Sequence, residues 1–225
     1  PPYFSEETES HLLKPLKQQT DFNLVKDLLK RDTEELVECY TDITRILKPG
    51  RALVIQIKDI KFGDFYVPIS GWHLELAIRN GLRLITQISW LPSAGRAQTG
   101  AKSYKQKGKV RTYRALETER FYILGHPCGL TSGHDLEDAI FGDDKLIQPL
   151  WNLPPNGRVD SHPYSSPESV ATKLINLLTE PGELVVDPFA GFGGILKVAN
   201  KLSRKAIGYE IDMKKWIDRK KVKHG

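Results

Sequence analysis

Asp187-Pro188-Phe189-Ala190-Gly191-Phe192-Gly193-Gly194 places an acid, a proline and three glycines within eight residues. The segment follows the short apolar run Leu184-Val185-Val186 and precedes residues with helical spacing. Glycines in such a turn let a ligand come close to main-chain N–H groups. After a second apolar run, Ala206 to Tyr209, stands Glu210. An acid ending that strand can accept hydrogen bonds from both hydroxyls of a ribose. Strand, glycine turn, helix, strand and acid, in that order, describe a unit suited to a nucleoside.

The first residues carry a different chemistry. In Pro1-Pro2-Tyr3, followed by Phe4, the Pro-Pro pair fixes a rigid turn with two carbonyls and no N–H of its own. An aromatic beside it can stack on a planar base held outside a duplex. Elsewhere, Leu91 to Leu116 holds seven cations and no acid: Arg96, Lys102, Lys105, Lys107, Lys109, Arg111 and Arg114. Those cations suit phosphate contacts, and Tyr104 and Tyr113 are available for stacking. Residues Met213 to Gly225 hold six cations against Asp218, which spacing reads as a terminal helix with a charged outer side. Removing both segments from the net charge of +5 leaves −7 on the remainder, so basicity is confined to two places. That distribution points to a polyanionic partner. The histidines lack HxxxH spacing, and His126, His134 and His162 read as structural, so no metal is expected.

These groups must be positioned by a folded body. The chain has 225 residues, 40% hydrophobic and 27% charged, which excludes disordered and collagen-like classes. No apolar run approaches the roughly 18 residues of a spanning helix and no leader is evident, so neither membrane insertion nor export is expected. Cys39 and Cys128 lie far apart with no CxxC pattern, which suits a reducing compartment. Spacing predicts a helix from Asp32 to Leu47, capped by Asp32 and Thr33 and stopped by Lys48-Pro49-Gly50. A strand over Ala52–Ile57, a helix over Trp72–Arg79 and strands over Leu82–Trp90 and Arg120–Leu124 follow. Leu91 to Ala115 reads as a long surface loop, and Cys128 to Ser161 as irregular. Ser166-Pro167-Glu168 predicts a cap with proline at the first helical position, opening a helix that Pro181-Gly182 ends. A strand over Leu184–Val186, a helix over Gly194–Leu202 and a strand over Ala206–Tyr209 complete the series. The alternation predicts an α/β fold, with residues 1–225 forming one domain that carries an inserted basic loop over residues 91–116.

In motif order the sequence resembles the S-adenosylmethionine-dependent amino-methyltransferases of DNA, in the arrangement where Pro-Pro-Tyr precedes the cofactor motif. The resemblance rests on Pro1-Pro2-Tyr3 and Asp187 to Gly193. Arg45 to Gly50 before the strand, Leu84 to Trp90, Arg120 to Leu124, Trp151, His162-Pro163 and Pro167 match in order. It implies a Rossmann-like methyltransferase fold, a mostly parallel sheet flanked by helices. It also implies that Asp187 faces the methionine amino group, that Gly191 and Gly193 admit the cofactor, and that Glu210 holds its ribose. Phe189 would pack beside the ligand, and Ser166 and Pro167 would open the helix beside the methionine moiety. The Pro1 carbonyl would accept from the target amine and localise its lone pair, while Tyr3 stacks on the flipped base. Residues 128–161 would aid target recognition.

Two features depart from the family pattern. The polar residue before Pro-Pro-Tyr would fall one position ahead of Pro1, so a preceding segment or a second polypeptide is expected to complete the site. Gly191-Phe192-Gly193-Gly194 stands where Gly-Ser-Gly-Thr is commoner, which bears on cofactor affinity. The implied function is methyl transfer to an exocyclic amine of a flipped base in double-stranded DNA, within a restriction-modification setting. Phe4 leans the target towards N4 of cytosine over N6 of adenine. A non-catalytic nucleic-acid-binding subunit and an RNA amino-methyltransferase are the alternatives. The implied location is cytoplasmic, with the nucleoid.

Overall fold

A computed structural model describes residues 22–62, 65–92, 100–106, 109–115, 118–128, 150–153 and 167–211. The chain divides into two compact units, residues 1–131 with 148–152, and residues 132–147 with 153–225. Each has its own buried cluster.

The first unit begins with helices α1 (Phe22–Glu34) and α2 (Val37–Ile46). One continuous helix from Asp32 was expected, but the chain breaks at Glu35-Leu36. Thr33 does not cap: its hydroxyl donates to the Leu29 carbonyl at 2.8 Å inside α1, and the residue is buried. Leu36 takes the cap position of α2 with no side-chain hydrogen bond. Strand β1 (Leu53–Ile57) follows, then the short pair β2 (Ile60–Phe62) and β3 (Phe65–Val67). Helix α3 (Ile69–Arg79) buries Ile69, Ser70, His73, Leu76 and Ala77, one helical stripe packed on the sheet.

Strands β4 (Arg83–Pro92), β5 (Gly100–Gln106), β6 (Lys109–Ala115), β7 (Glu119–Gly125) and β8 (Leu150–Leu153) complete the unit. The main sheet has the order β1-β7-β4-β8. Strand β7 is antiparallel to both β1 and β4, so β1 and β4 share a direction and β7 is a reversed strand between them. Its central place explains why Phe121, Tyr122, Ile123 and Leu124 are all buried, whereas a strand covered on one face alternates. Phe121 and Trp151 meet with ring centroids 5.9 Å apart, which places β8 inside a segment expected to be irregular.

Residues 91–116 are likewise more ordered than a loop. Strands β5 and β6 form an antiparallel ribbon from Gly100↔Ala115 to Gln106↔Lys109. Among the described residues the ribbon pairs only with itself. It is an insertion in a β4–β7 hairpin whose outermost pair is Trp90↔Glu119.

The second unit holds α4 (Glu168–Leu178), β9 (Leu184–Asp187), α5 (Gly194–Lys201) and β10 (Lys205–Gly208). Proline is not the first helical residue of α4. Pro167 occupies the cap position, and its carbonyl accepts from the Val170 and Ala171 N–H groups at 3.1 Å. Strands β9 and β10 pair in parallel, Leu184↔Lys205 to Asp187↔Gly208, as a helical crossover requires. One face of the pair packs Val185 and Ala206 against Ala171, Ile175, Val198 and Ala199. Arg204 is buried with its donors satisfied by Thr179 Oγ1, Thr179 O and Leu202 O, tying the end of α4 to the turn before β10.

Candidate functional site

The two parallel strands of the second unit end side by side, and the glycine turn spans their carboxyl ends. Tyr209 donates its N–H to the Asp187 carbonyl at 3.0 Å, and Ala190 donates to the Tyr209 carbonyl at 2.8 Å. Gly191 adopts φ +51° and Gly193 φ +71°, left-handed conformations that disfavour a side chain. Gly193 is the cap residue of α5, and its carbonyl accepts from Lys197 at 3.1 Å. The first turn of a helix therefore faces the loop with its N–H groups.

The two acids meet in the same turn. Gly191 donates its N–H to Glu210 Oε2 at 2.8 Å, and Phe189 donates to Asp187 Oδ1 at 3.1 Å. Burial raises the Asp187 pKa above the ordinary carboxylate value, and the nearby Glu210 carboxylate adds to this. The Phe189 N–H pulls in the other direction. A carboxylate can accept about four hydrogen bonds, so one main-chain donor leaves it capacity for a ligand hydroxyl. Asp187, Phe189, Gly191, Gly193 and Glu210 are thus brought together, and Pro167 is seen at the head of α4.

The structure also picks out Gly208, two residues before Glu210. A Cβ there would collide with Leu196 Cδ1 and come 2.7 Å from Ala190 Cβ. Its absence lets β10, α5 and the glycine turn close on one another. The available signal was a glycine in an otherwise apolar run two residues before an acid.

Other expected site residues stand elsewhere or outside the described residues. Pro1, Pro2, Tyr3, Ser166, Arg96 and Lys107 lie outside them, as do residues 213–225. Lys102 and Lys105 fall in β5, and Lys109, Arg111 and Arg114 in β6. At the carboxyl end of β1, Asp59 accepts from the Ser70 main-chain N–H at 3.0 Å and pairs with Arg120, which also donates to Ser70 Oγ at 2.7 Å. Gln56 Nε2 donates to Glu119 at 2.6 Å. Sequence reading missed this network, which braces the strand returning from the ribbon. Its signal was an acid two residues after a buried strand. Among the described residues no group of three or more His, Cys, Asp or Glu could hold a metal ion, and no helix is long and apolar enough to cross a membrane.

The N6/N4 methyltransferase family model, described as DNA methylase, matches residues 1–216. The chain belongs to this DNA methylase family. Among curated relatives, the type II methyltransferase M.BglII of Bacillus subtilis is 27% identical over 222 residues, 90% of this chain and 58% of that protein. The type II methyltransferase M.PvuII of Proteus hauseri is 31% identical over 110 residues, 42% of this chain and 32% of its own length. The chain therefore spans less than two thirds of these family members.

Solved structures agree on the fold. The cytosine-N4-specific PvuII DNA methyltransferase superposes with a TM-score of 0.66 at 18% identity, covering 88% of this chain and 71% of that one. TTHA0409 of Thermus thermophilus, complexed with S-adenosyl-L-methionine, superposes with a TM-score of 0.59 at 21% identity, covering 81% of this chain and 72% of that one. The family member described here has the same Rossmann-like methyltransferase fold.

Proposed function

We propose that the protein methylates an exocyclic amine of a base in double-stranded DNA, using S-adenosylmethionine. The observation carrying this reading is the hydrogen bond from Gly191 to Glu210 in a left-handed glycine turn, with Asp187 at the end of the adjoining strand. That group supplies an electrophilic methyl on a sulfonium when bound. The residues fit it: Gly191 and Gly193 keep Cβ atoms out of the turn, and two acids of different surroundings flank it. Glu210 suits the ribose hydroxyls, and Asp187 suits the cationic amino group. Phe189 gives the adjoining apolar contact.

Pro1, Pro2 and Tyr3 are assigned the target base. The Pro1 carbonyl accepts from its amine, whose lone pair is otherwise delocalised into the ring, and Tyr3 stacks on the base plane. Orientation and electrostatic preorganisation supply most of the rate enhancement. Phe4 beside Tyr3 favours the N4 amine of cytosine over the N6 amine of adenine. Acting on DNA places the protein with the nucleoid, in a restriction-modification system.

Calorimetric titration with S-adenosylmethionine, then transfer of labelled methyl into unmethylated duplex DNA, tests the reading. Saturable binding and incorporation are expected, with N4-methylcytosine among the digested nucleosides. N6-methyladenine alone would reverse the base assignment. Binding without transfer to DNA but with transfer to RNA would replace the substrate. No binding by the full-length protein would defeat the enzyme reading in favour of a non-catalytic subunit.

A further inference from the structure

The register of the β5–β6 ribbon divides its cations. Directly paired residues share a face, and successive residues alternate between faces. The pairs Lys102↔Tyr113, Tyr104↔Arg111 and Gln106↔Lys109 therefore lie on one face. The pairs Ala101↔Arg114, Ser103↔Thr112 and Lys105↔Val110 lie on the other. The first face combines three cations, both tyrosines and an amide. The second has two cations among small or β-branched residues.

No cation is paired directly with another, which avoids the cost of like charges facing across a ladder. On the first face each cation stands instead opposite a tyrosine or the glutamine. That mixture suits DNA: cations for phosphates, an amide for base edges, and amphipathic rings for the surface between them. A ribbon of seven pairs is about 23 Å long, and two strands lie about 4.8 Å apart. The major groove of B-DNA, roughly 12 Å wide, admits a two-stranded ribbon. The narrow major groove of A-form RNA does not.

We propose that the ribbon enters the major groove of duplex DNA with the face of Lys102, Tyr104, Gln106, Lys109, Arg111 and Tyr113 inward. The assignment rests on the reading of the protein as a DNA methyltransferase and adds which residues meet the duplex. Lys105 and Arg114, on the outer face, contribute charge at longer range. The Asp59–Arg120–Ser70 network gives the ribbon a braced root, because Arg120 lies in the strand that returns from it.

Matched variants separate the faces, since K102A/R111A and K105A/R114A each remove one lysine and one arginine. The probe is a labelled mixed-sequence duplex two to three turns long, titrated with full-length protein over a series of salt concentrations. K102A/R111A is expected to weaken binding about ten-fold or more and to lower the log–log salt slope by about 2. K105A/R114A is expected to weaken it by less than about three-fold, the share due to general attraction. Equal losses, or a larger loss for K105A/R114A, would overturn the assignment. So would tighter binding of duplex RNA than of duplex DNA by the unaltered protein. Should K102A/R111A fail to fold, K102Q/R111Q keeps polar side chains at both positions and tests the same point. A clear face preference without methyl transfer would sink the proposed function and leave the ribbon assignment intact. Equal losses with methyl transfer intact would do the reverse.

Discussion

The carboxyl of Asp187 is held where ionisation is disfavoured, because burial outweighs the single main-chain N–H that Phe189 offers it. Its folded-state pKa is raised above 3.8, so the folded protein binds a proton more tightly than the unfolded chain. The stability it contributes is present at low pH and is lost as pH rises through the raised value. Asp187→Asn keeps an acceptor for Phe189 and removes that penalty. The thermal midpoint without ligand should therefore rise by about 2–4 °C at neutral pH, equivalent to roughly 1 kcal/mol. Affinity for S-adenosylmethionine should fall about ten-fold or more, the loss of one charge-assisted hydrogen bond. In the unaltered protein affinity should increase with pH as Asp187 ionises and then level off. The variant should lose most of that acid limb in calorimetric titrations across the range, and an unchanged limb would exclude Asp187 from the site.

Between the elements, single contacts decide how closely the parts approach. Gly208 is the clearest, because β10 meets α5 and the glycine turn with no room for a methyl group. Gly208→Ala should cost about 1–3 kcal/mol by overpacking, read as a lower denaturation midpoint. An unchanged midpoint would mean that α5 can shift freely. The β9–turn–α5–β10 unit was legible in sequence because all its signals lie within one short span: apolar runs, left-handed glycines and a terminal acid. Gly208 was not legible, since its role comes from the approach of Leu196 and Ala190 rather than from its own neighbours. The ribbon was missed for a different reason. Its alternation, Lys102, Tyr104 and Gln106 against Ala101, Ser103 and Lys105, has no apolar face to mark a strand, and a cation-rich run reads as loop. Thr33, a threonine ahead of an apolar helical run, has the form of a cap in the sequence. The helix before it, α1, moved the boundary. Strand β8 is short and lies beside residues rich in Gly, Pro and Asp.

Helices α2 and α3 meet through a buried polar pair, in which the Tyr40 hydroxyl and His73 Nδ1 lie 2.8 Å apart. Burial lowers the His73 pKa from 6.5 to about 3, so the folded protein keeps this imidazole neutral. The unfolded chain binds a proton first as pH falls. Stability from His73 is therefore complete above pH 6.5 and is lost progressively towards about pH 3. His73→Gln should make the acid slope of unfolding free energy shallower by up to about 1.4 kcal/mol per pH unit. Denaturant midpoints of both proteins between those limits measure it, and parallel curves would refute the buried neutral state.

Across the whole chain, the excess of positive charge is confined to residues 91–116 and 213–225. The ribbon pairs only with itself among the described residues, while β4 and β7 are antiparallel neighbours down to Trp90↔Glu119. Residues 93–116 can therefore be replaced by a two-residue turn such as Asn-Gly, the kind that closes a hairpin. The replacement takes seven cations from a net charge of +5 and leaves −2. The shortened protein should melt within a few degrees of the original and bind S-adenosylmethionine with affinity within about three-fold, because the residues proposed to hold it, Ser166, Pro167 and those from Asp187 to Glu210, lie outside the replaced segment. Its affinity for duplex DNA should fall by about 10³-fold or more, since as many as seven phosphate contacts are removed and the remaining body is acidic. Salt titration of the two proteins side by side checks this. Loss of folding would show that the ribbon is part of the sheet's stability, and retained DNA affinity would move the contact surface to another part of the chain.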